Sequence, residues 1–273
     1  MTAPEFQNIE TEFQDGVLYG WLNRPHKVNA MNRTLWFELG DLARWADREP
    51  SVRVLVLAGR GRGFTAGIDL SLIMEIVTGA AALPDGRKQE EIRQVILDLQ
   101  RAFSAFETCR KPVIAAVHGS CIGGGIDLIT ACDLRYSTKE ATFCVKEVDL
   151  AIVADIGTLQ RLPHIVGEGL ARELAMTGRS FSGDEALQMR LVNGVYENQE
   201  ALMQAVGEVA RTIASKSPLT IRGIKQVMNH ARGRTVDEGL AFVATWNAGV
   251  LLSEDAQEAV QAWMEKREPV FRD

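Results

Sequence analysis

Pro112-Val-Ile-Ala-Ala-Val-His-Gly-Ser-Cys-Ile-Gly-Gly-Gly-Ile-Asp127 reads as a strand that runs through a glycine loop into a helix. Val113 to Val117 has no polar alternation, the pattern of a strand covered on both faces, and Ile126 to Thr130 predicts the helix. The same arrangement occurs upstream. There Val52 to Leu57 is closed by Gly59, Gly61 and Gly63 and leads into Phe64-Thr-Ala-Gly-Ile-Asp69. Strands separated by helices imply parallel βαβ units and an α/β fold.

Working outward, Phe6 to Leu22 is broken at Asp15-Gly16 and predicts a hairpin. Asn32 is placed to cap a helix through Asp47, with Leu35, Trp36, Leu39, Leu42 and Ala43 on one face. Residues 71–88 contain Gly79, Pro84 and Gly86 and are expected to form a mobile connector. After it, Ile92, Val95, Ile96, Leu99, Phe103 and Phe106 recur at helical spacing, and Leu134 to Tyr136 and Thr142 to Val145 are strand candidates. From about Asn198 the chain turns helical: Gln199 to Ser215, Leu219 to Asn229, Val236 to Leu252 and Glu254 to Arg267. Ser182 to Glu185 and Thr235 to Glu238 both have capping-box spacing. The expected organisation is an α/β core with the active site over 1–197 and a helical region over 198–273.

Composition narrows the function classes. The 273 residues are 46% hydrophobic and 24% charged, enough for a substantial core. A formal charge of −6 argues against nucleic acid as a partner. No apolar run reaches the ~18 residues of a membrane span, and the N-terminal stretch lacks the features of a signal peptide. Cys109, Cys121, Cys132 and Cys144 form no CxxC pair and lie in largely apolar stretches, so buried free thiols and a cytoplasmic location are expected. The four histidines are scattered without metal-ligand spacing, so no metal site is expected.

Two features carry chemistry. At each glycine loop the first amides of the following helix lack intrahelical partners and suit an anion or a developing oxyanion. A pair of such loops can hold one oxygen from two sides, although glycines equally serve tight turns. The second loop does not match GxGxxG, and neither ends in the Gly-Lys-Ser/Thr of a P-loop. The other feature is acids among apolar neighbours: Asp127 in the first turn of a helix, Glu147 after Phe143-Cys-Val-Lys146, and Asp155 within Ala151-Ile-Val-Ala-Asp-Ile-Gly157. Buried together, such carboxyls acquire separated pKa values, one holding a proton while another is ionised. From spacing alone, helix capping by Asp127 or Asp155 and solvation of Glu147 and Asp149 stand as alternatives.

The chain resembles the crotonase (enoyl-CoA hydratase/isomerase) superfamily over nearly its whole length. The resemblance rests on Asn23-Arg-Pro-His-Lys-Val-Asn-Ala-Met-Asn32, the two strand–loop units and the tail Met264-Glu-Lys-Arg-Glu-Pro-Val-Phe271. Within it, Asp127-Leu-Ile-Thr-Ala-Cys-Asp-Leu-Arg-Tyr136, Val145-Lys-Glu-Val-Asp149 and Ala154-Asp-Ile-Gly-Thr-Leu-Gln-Arg-Leu-Pro163 are similar to the dienoyl-CoA isomerase branch. Asp155 carries that distinction, because the position it occupies is usually not acidic in hydratases, which also tend to have glutamate where Asp127 stands. Ala151 departs from the glycine the isomerases favour.

The resemblance implies a ββα spiral core with a C-terminal helical oligomerisation region, and conversion of 3,5-dienoyl-CoA to 2,4-dienoyl-CoA without a cofactor. It implies Ile68 and Gly124 amides as the oxyanion hole and Asp127, Glu147 and Asp155 as the catalytic acids. Thr65, Ala66, Gly67, Ile68, Asp69 and Gly125 would line the acyl-CoA, Lys27 and Val28 its nucleotide end, and Lys266 or Arg272 a CoA phosphate. It implies a homotrimer or a dimer of trimers. An enoyl-CoA hydratase is the alternative enzyme. A non-catalytic acyl-CoA-binding or RNA-binding protein of the same fold is the alternative of another class.

Overall fold

The computed structural model describes residues 4–273; the first three residues of the expected 1–197 core lie outside it. The hairpin forms as the Asp15-Gly16 break predicts. Strands β1 (Ile9–Gln14) and β2 (Val17–Leu22) pair antiparallel, and Asp15 and Gly16 both take positive φ. Helix α1 (Arg33–Arg48) follows, with the Asn32 side chain accepting the Leu35 amide. It leads to β3 (Val54–Gly59).

Residues 71–88 correct the expectation of a mobile connector. They belong to α2 (Leu70–Ala81) and the start of α3 (Asp85–Thr108). Asp69 caps α2 by accepting the Ser71 amide at 3.1 Å, Gly79 sits in open space, and Pro84 is the N-cap of α3. The helix breakers therefore mark the joint between two helices.

Next come β4 (Val113–Val117), β5 (Ser120–Ile122), α4 (Gly124–Thr130), β6 (Leu134–Thr138) and β7 (Thr142–Cys144). Helices α5 (Thr158–Val166) and α6 (Glu168–Thr177) precede β8 (Phe181–Ser182), α7 (Gly183–Gln188) and β9 (Gly194–Tyr196). The main sheet has the order β1-β2-β3-β4-β6-β9, parallel from β2 onward; β5-β7-β8 form a second, smaller sheet.

Strand alternation divides the core in two. Leu18, Leu22, Leu55, Leu57, Val113 and Ala115 face the cluster that α1 and α3 complete, where Trp36 and Phe103 stack with centroids 4.4 Å apart. Val17, Trp21, Val54, Val56 and Ile114 face α8 (Gln199–Ala214), which buries Leu202, Val206 and Ala210 against them. The central strands are covered on both faces, which is why they read as unbroken apolar runs.

By packing, the region 198–273 splits. Helix α8 covers the sheet, whereas α9 (Pro218–Ala231), α10 (Val236–Val250) and α11 (Glu254–Glu265) form the appendage. Lys225 ties α9 to the core: its Nζ donates to the carbonyls of Phe106 and Lys111 and to Asp133, at 2.9, 3.1 and 2.7 Å. Thr235 and Glu238 form the expected capping box. At Ser182 only half the box forms: Ser182 accepts the Glu185 amide, while Glu185 pairs with Arg179. All four cysteines are buried and free. Among the described residues no helix is long and apolar enough to cross a membrane.

Candidate active site

The two glycine loops lie side by side. Thr65 and Cys121 form a parallel bridge; the Thr65 amide donates to Ser120 O at 2.8 Å and the Ile122 amide to Thr65 O at 3.2 Å. Met31 bridges Ile68 in the same way, donating to Gly67 O at 2.7 Å and accepting from the Asp69 amide at 3.0 Å. A parallel bridge engages the groups flanking Ile68, so the N–H of Ile68 itself points to the other side.

Gly67 makes the approach possible. Its φ is +89°, and a Cβ there would lie 2.6 Å from Ile122 O and 3.6 Å from the Gly124 nitrogen. The Ile68 and Gly124 amides thus come from adjoining segments. Gly124 opens α4, so its N–H has no acceptor in a preceding turn. The expected pair of donors is brought together, with the positive end of the α4 dipole behind one of them.

The acids gather behind this pair. A Cβ on Gly123 would lie 3.2 Å from Oε1 of Glu147, so that carboxyl stands against the start of α4. Its Oε2 is buried without a protein partner. Asp127, one turn into α4, is 1% exposed and accepts the Thr158 amide at 2.7 Å. It thereby caps α5 from a distance, because the N-cap residue of that helix is Gly157. The capping reading of Asp127 is realised, at α5 and not at its own helix. Asp155 lies two residues before Gly157, and its carbonyl accepts Gln100 Nε2 at 2.5 Å. Asp149 is exposed and pairs with Lys146, as a solvated acid would.

Burial drives the electrostatics. It pushes Asp127 up to about 7, assisted by the nearby Glu147 charge and less by Asp155, against the bonds from Thr158. Glu147 is raised above the ordinary carboxyl range, by burial first and then by Asp155; burial also raises Asp155. Three carboxyls that sense one another titrate as a set, so a proton is retained in the site near neutrality.

The acids open onto different spaces. Glu147 lines an apolar cavity of about 520 Å³ with Val145, Ile152, Leu159, Leu162, Ala171 and Met176. Asp155 lines a second cavity of about 430 Å³, walled mainly by polar residues, among them Gln100, Ser104, Arg161 and His164.

The remaining expected residues distribute unevenly. Ala66 is exposed, and its amide is held by the carbonyl of Val28, whose φ is +50°. Lys27 is exposed on the adjoining turn. Thr65 is fully buried and spends its hydroxyl on Asn29 O at 2.8 Å, so its side chain is part of the scaffold. Gly125 is buried against that threonine: a Cβ on it would meet Thr65 Cγ2 at 2.7 Å. Asp69 caps α2 and pairs with Arg24 at 3.1 Å.

Arg272 does not lie beside Lys27 and Val28 of its own chain. Its neighbours Phe271 and Asp273 bind Arg53, which precedes β3, whereas Lys27 and Val28 follow the opposite end of the sheet. Lys266 ends α11 in the left-handed conformation, on the appendage.

Sequence reasoning passed over the groups that shape the loops. Asn29, fully buried, donates through Nδ2 to Arg60 O and Gly63 O, both at 2.9 Å, and accepts the Arg24 amide. The sequence signal was only the asparagine itself, a residue type that tolerates the positive φ that Asn29 takes here.

Unpaired amides on two adjoining loops, backed by one buried and two half-buried carboxyls, suit a class: a site for stabilising an oxyanion beside acid–base groups. A family profile described as enoyl-CoA hydratase/isomerase matches residues 12–273. The chain is 46% identical over 275 residues to an Arabidopsis thaliana protein named Delta(3,5)-Delta(2,4)-dienoyl-CoA isomerase, peroxisomal, covering 99% of each. It is 42% identical over 265 residues to the mitochondrial protein of that name from Mus musculus, covering 96% of this chain and 81% of that one. The crystal structure of an enoyl-CoA hydratase from Bacillus anthracis superposes with a TM-score of 0.87 at 32% identity, covering 97% of this chain and 99% of that one. The chain belongs to the enoyl-CoA hydratase/isomerase family, and its fold is the crotonase fold.

Proposed function

We propose that this protein is a dienoyl-CoA isomerase that converts a 3,5-dienoyl-CoA into the 2,4-dienoyl-CoA in the oxidation of unsaturated fatty acyl chains. The observation that carries the reading is Asp155, a third acid beyond the Asp127–Glu147 pair, perturbed by burial and electrostatically coupled to both. The names of the Arabidopsis and mouse relatives support it.

Glu147 removes a proton from C2, and the electron pair moves onto the thioester oxygen. The Ile68 and Gly124 amides stabilise that charge, each worth ~3 to 4 kcal/mol in comparable sites. The trienolate spreads charge to C6, where Asp155 delivers a proton; Asp127 tunes the pair and transfers none. One proton leaves, one arrives and no electrons are gained or lost, so the steps call for neither a metal nor a redox cofactor. Coenzyme A enters as part of the substrate, with Lys27 and Val28 placed for its nucleotide end. The apolar cavity at Glu147 suits an acyl chain.

Asp127 and Glu147 alone would also suit a hydratase holding a water between them. Pure protein offered 3,5-dienoyl-CoA and 2-enoyl-CoA separates the two: the proposal requires the first to lose its isolated-diene absorbance and gain that of a diene conjugated with the thioester. Hydration of the second with no reaction of the first contradicts it.

We further propose a homotrimer or dimer of trimers. Leu240, Leu251 and Trp263 are 58%, 70% and 80% exposed on the appendage, more apolar surface than a lone subunit usually leaves. Phe242 and Trp246 are instead used within the chain, against His230 and over Gly223. The four free thiols support a reducing compartment, for which we propose the cytoplasm.

A further inference from the structure

The isomerisation leaves its catalyst altered. After one turnover Glu147 carries the proton taken from C2, and Asp155 has lost the one given to C6. The site works again only when Glu147 has released a proton and Asp155 has regained one. Two routes are available: transfer between the carboxyls, or exchange of each with water.

We propose that Asp155 is recharged from bulk water through the polar cavity on its outer side, which acts as a proton port separate from the acyl pocket. The inference rests on the isomerase reading. Its ground is the division of the cavities: Glu147 lines the apolar one and Asp155 the one rich in polar side chains, neither residue lines both, and the Asp155 carbonyl is held by Gln100 of the second cavity.

The port is built from groups that hold water. Gln100, Ser104, Glu107, Gln160, Arg161 and His164 line it, and each offers a donor or acceptor to a hydrogen-bonded chain of waters. Its floor is fixed. Arg161 donates to Glu107 at 2.9 Å, to Ser104 Oγ at 3.0 Å and to Ile156 O at 3.3 Å. A Cβ on Gly157 would lie 1.8 Å from Arg161 Nη1, so the guanidinium occupies the space a side chain would take. Glu107 is held from the other side by Arg232 of the appendage. This bracing keeps an aqueous opening beside Asp155 while the acyl pocket is filled.

In each cycle a proton from water protonates the Asp155 carboxylate through the port. Glu147 releases its proton to water after product leaves. The two exchanges sum to zero, and no proton passes between the carboxyls.

Two measurements test this. Unlabelled 3,5-dienoyl-CoA turned over repeatedly in D₂O gives product with close to one deuterium at C6. Protium retained at C6 by an active enzyme means that the proton taken from C2 is passed inward, and overturns the proposal. An enzyme without diene-forming activity overturns the isomerase reading instead.

The second measurement plugs the port. Gln160 is exposed on α5 and outside the catalytic set, so Gln160→Trp fills the opening from the surface. The first turnover, made by Asp155 already protonated, keeps its rate within about twofold. Steady-state turnover falls about tenfold or more, giving a burst of one product per site. Gln160→Ala, which widens the opening, keeps wild-type turnover and rules out a loss peculiar to the glutamine. Unchanged steady-state turnover in a folded Gln160→Trp protein, or equal slowing of both phases, contradicts the port.

Discussion

Asp127→Asn separates the electrostatic cost of the site from its catalytic use. Burial and the neighbouring acids raise the Asp127 carboxyl to about 7, against an ordinary 3.8. The sign follows from linkage: a raised acid binds its proton more tightly folded than unfolded, so its cost is absent below 3.8. It grows as pH rises through 3.8 and is complete above about 7. At ~1.4 kcal/mol per pH unit, the gap is worth ~4 kcal/mol at pH 8 as an upper figure. Asparagine is neutral at every pH and keeps an oxygen to accept the Thr158 amide. The variant is therefore expected to match wild type near pH 4 and to exceed it by up to ~4 kcal/mol at pH 8. Denaturant unfolding across pH 4 to 8 measures the difference, with unchanged m-values certifying the comparison. Its activity is expected to fall modestly, since no proton passes through it. A variant less stable than wild type at pH 8, or a difference independent of pH, refutes the argument and leaves Asp127 as a helix cap alone.

Gly124→Pro removes one oxyanion donor and, in a protein shown to be folded by its thermal transition, is expected to lower turnover ~100 to 1,000-fold with a much smaller loss of affinity. Turnover preserved in the folded variant makes the loop a packing turn. Lys225→Ala removes the ion pair to the half-buried Asp133 carboxyl, which keeps the Val113 amide, and is expected to cost ~1.5 to 3 kcal/mol by denaturant unfolding; a loss under ~1 kcal/mol means that α9 is held by its apolar face. Light scattering at micromolar concentration is expected to give at least three times the subunit mass, and a monomer contradicts the assembly.

What the residues disclosed follows from where the physics is local. The hairpin was legible because Asp15-Gly16 takes positive φ within two residues, and β3 and β4 because both faces of each are covered. The acids stood out because Asp127 and Glu147 interrupt apolar stretches. What escaped is non-local. Gly79, Pro84 and Gly86 suggested a loose connector, yet Asp69 at one end and the long apolar face of α3 at the other sustain two helices across them. The β5-β7-β8 sheet has strands of two or three residues, too short to show a period. Asp127 capping α5 joins residues 31 apart, and the division of Glu147 and Asp155 between two cavities depends on how α5 and α6 pack.

The central claim is that two carboxyls, one at each end of the trienolate, move the protons. Glu147→Gln and Asp155→Asn keep volume and remove one proton carrier each, so formation of 2,4-dienoyl-CoA from 3,5-dienoyl-CoA, followed by absorbance beside acyl-CoA binding by calorimetry, tests it most directly. Each variant is expected to lose turnover by ~100 to 10,000-fold while binding holds within a few-fold. Near-wild-type turnover in either, with binding intact, contradicts the claim.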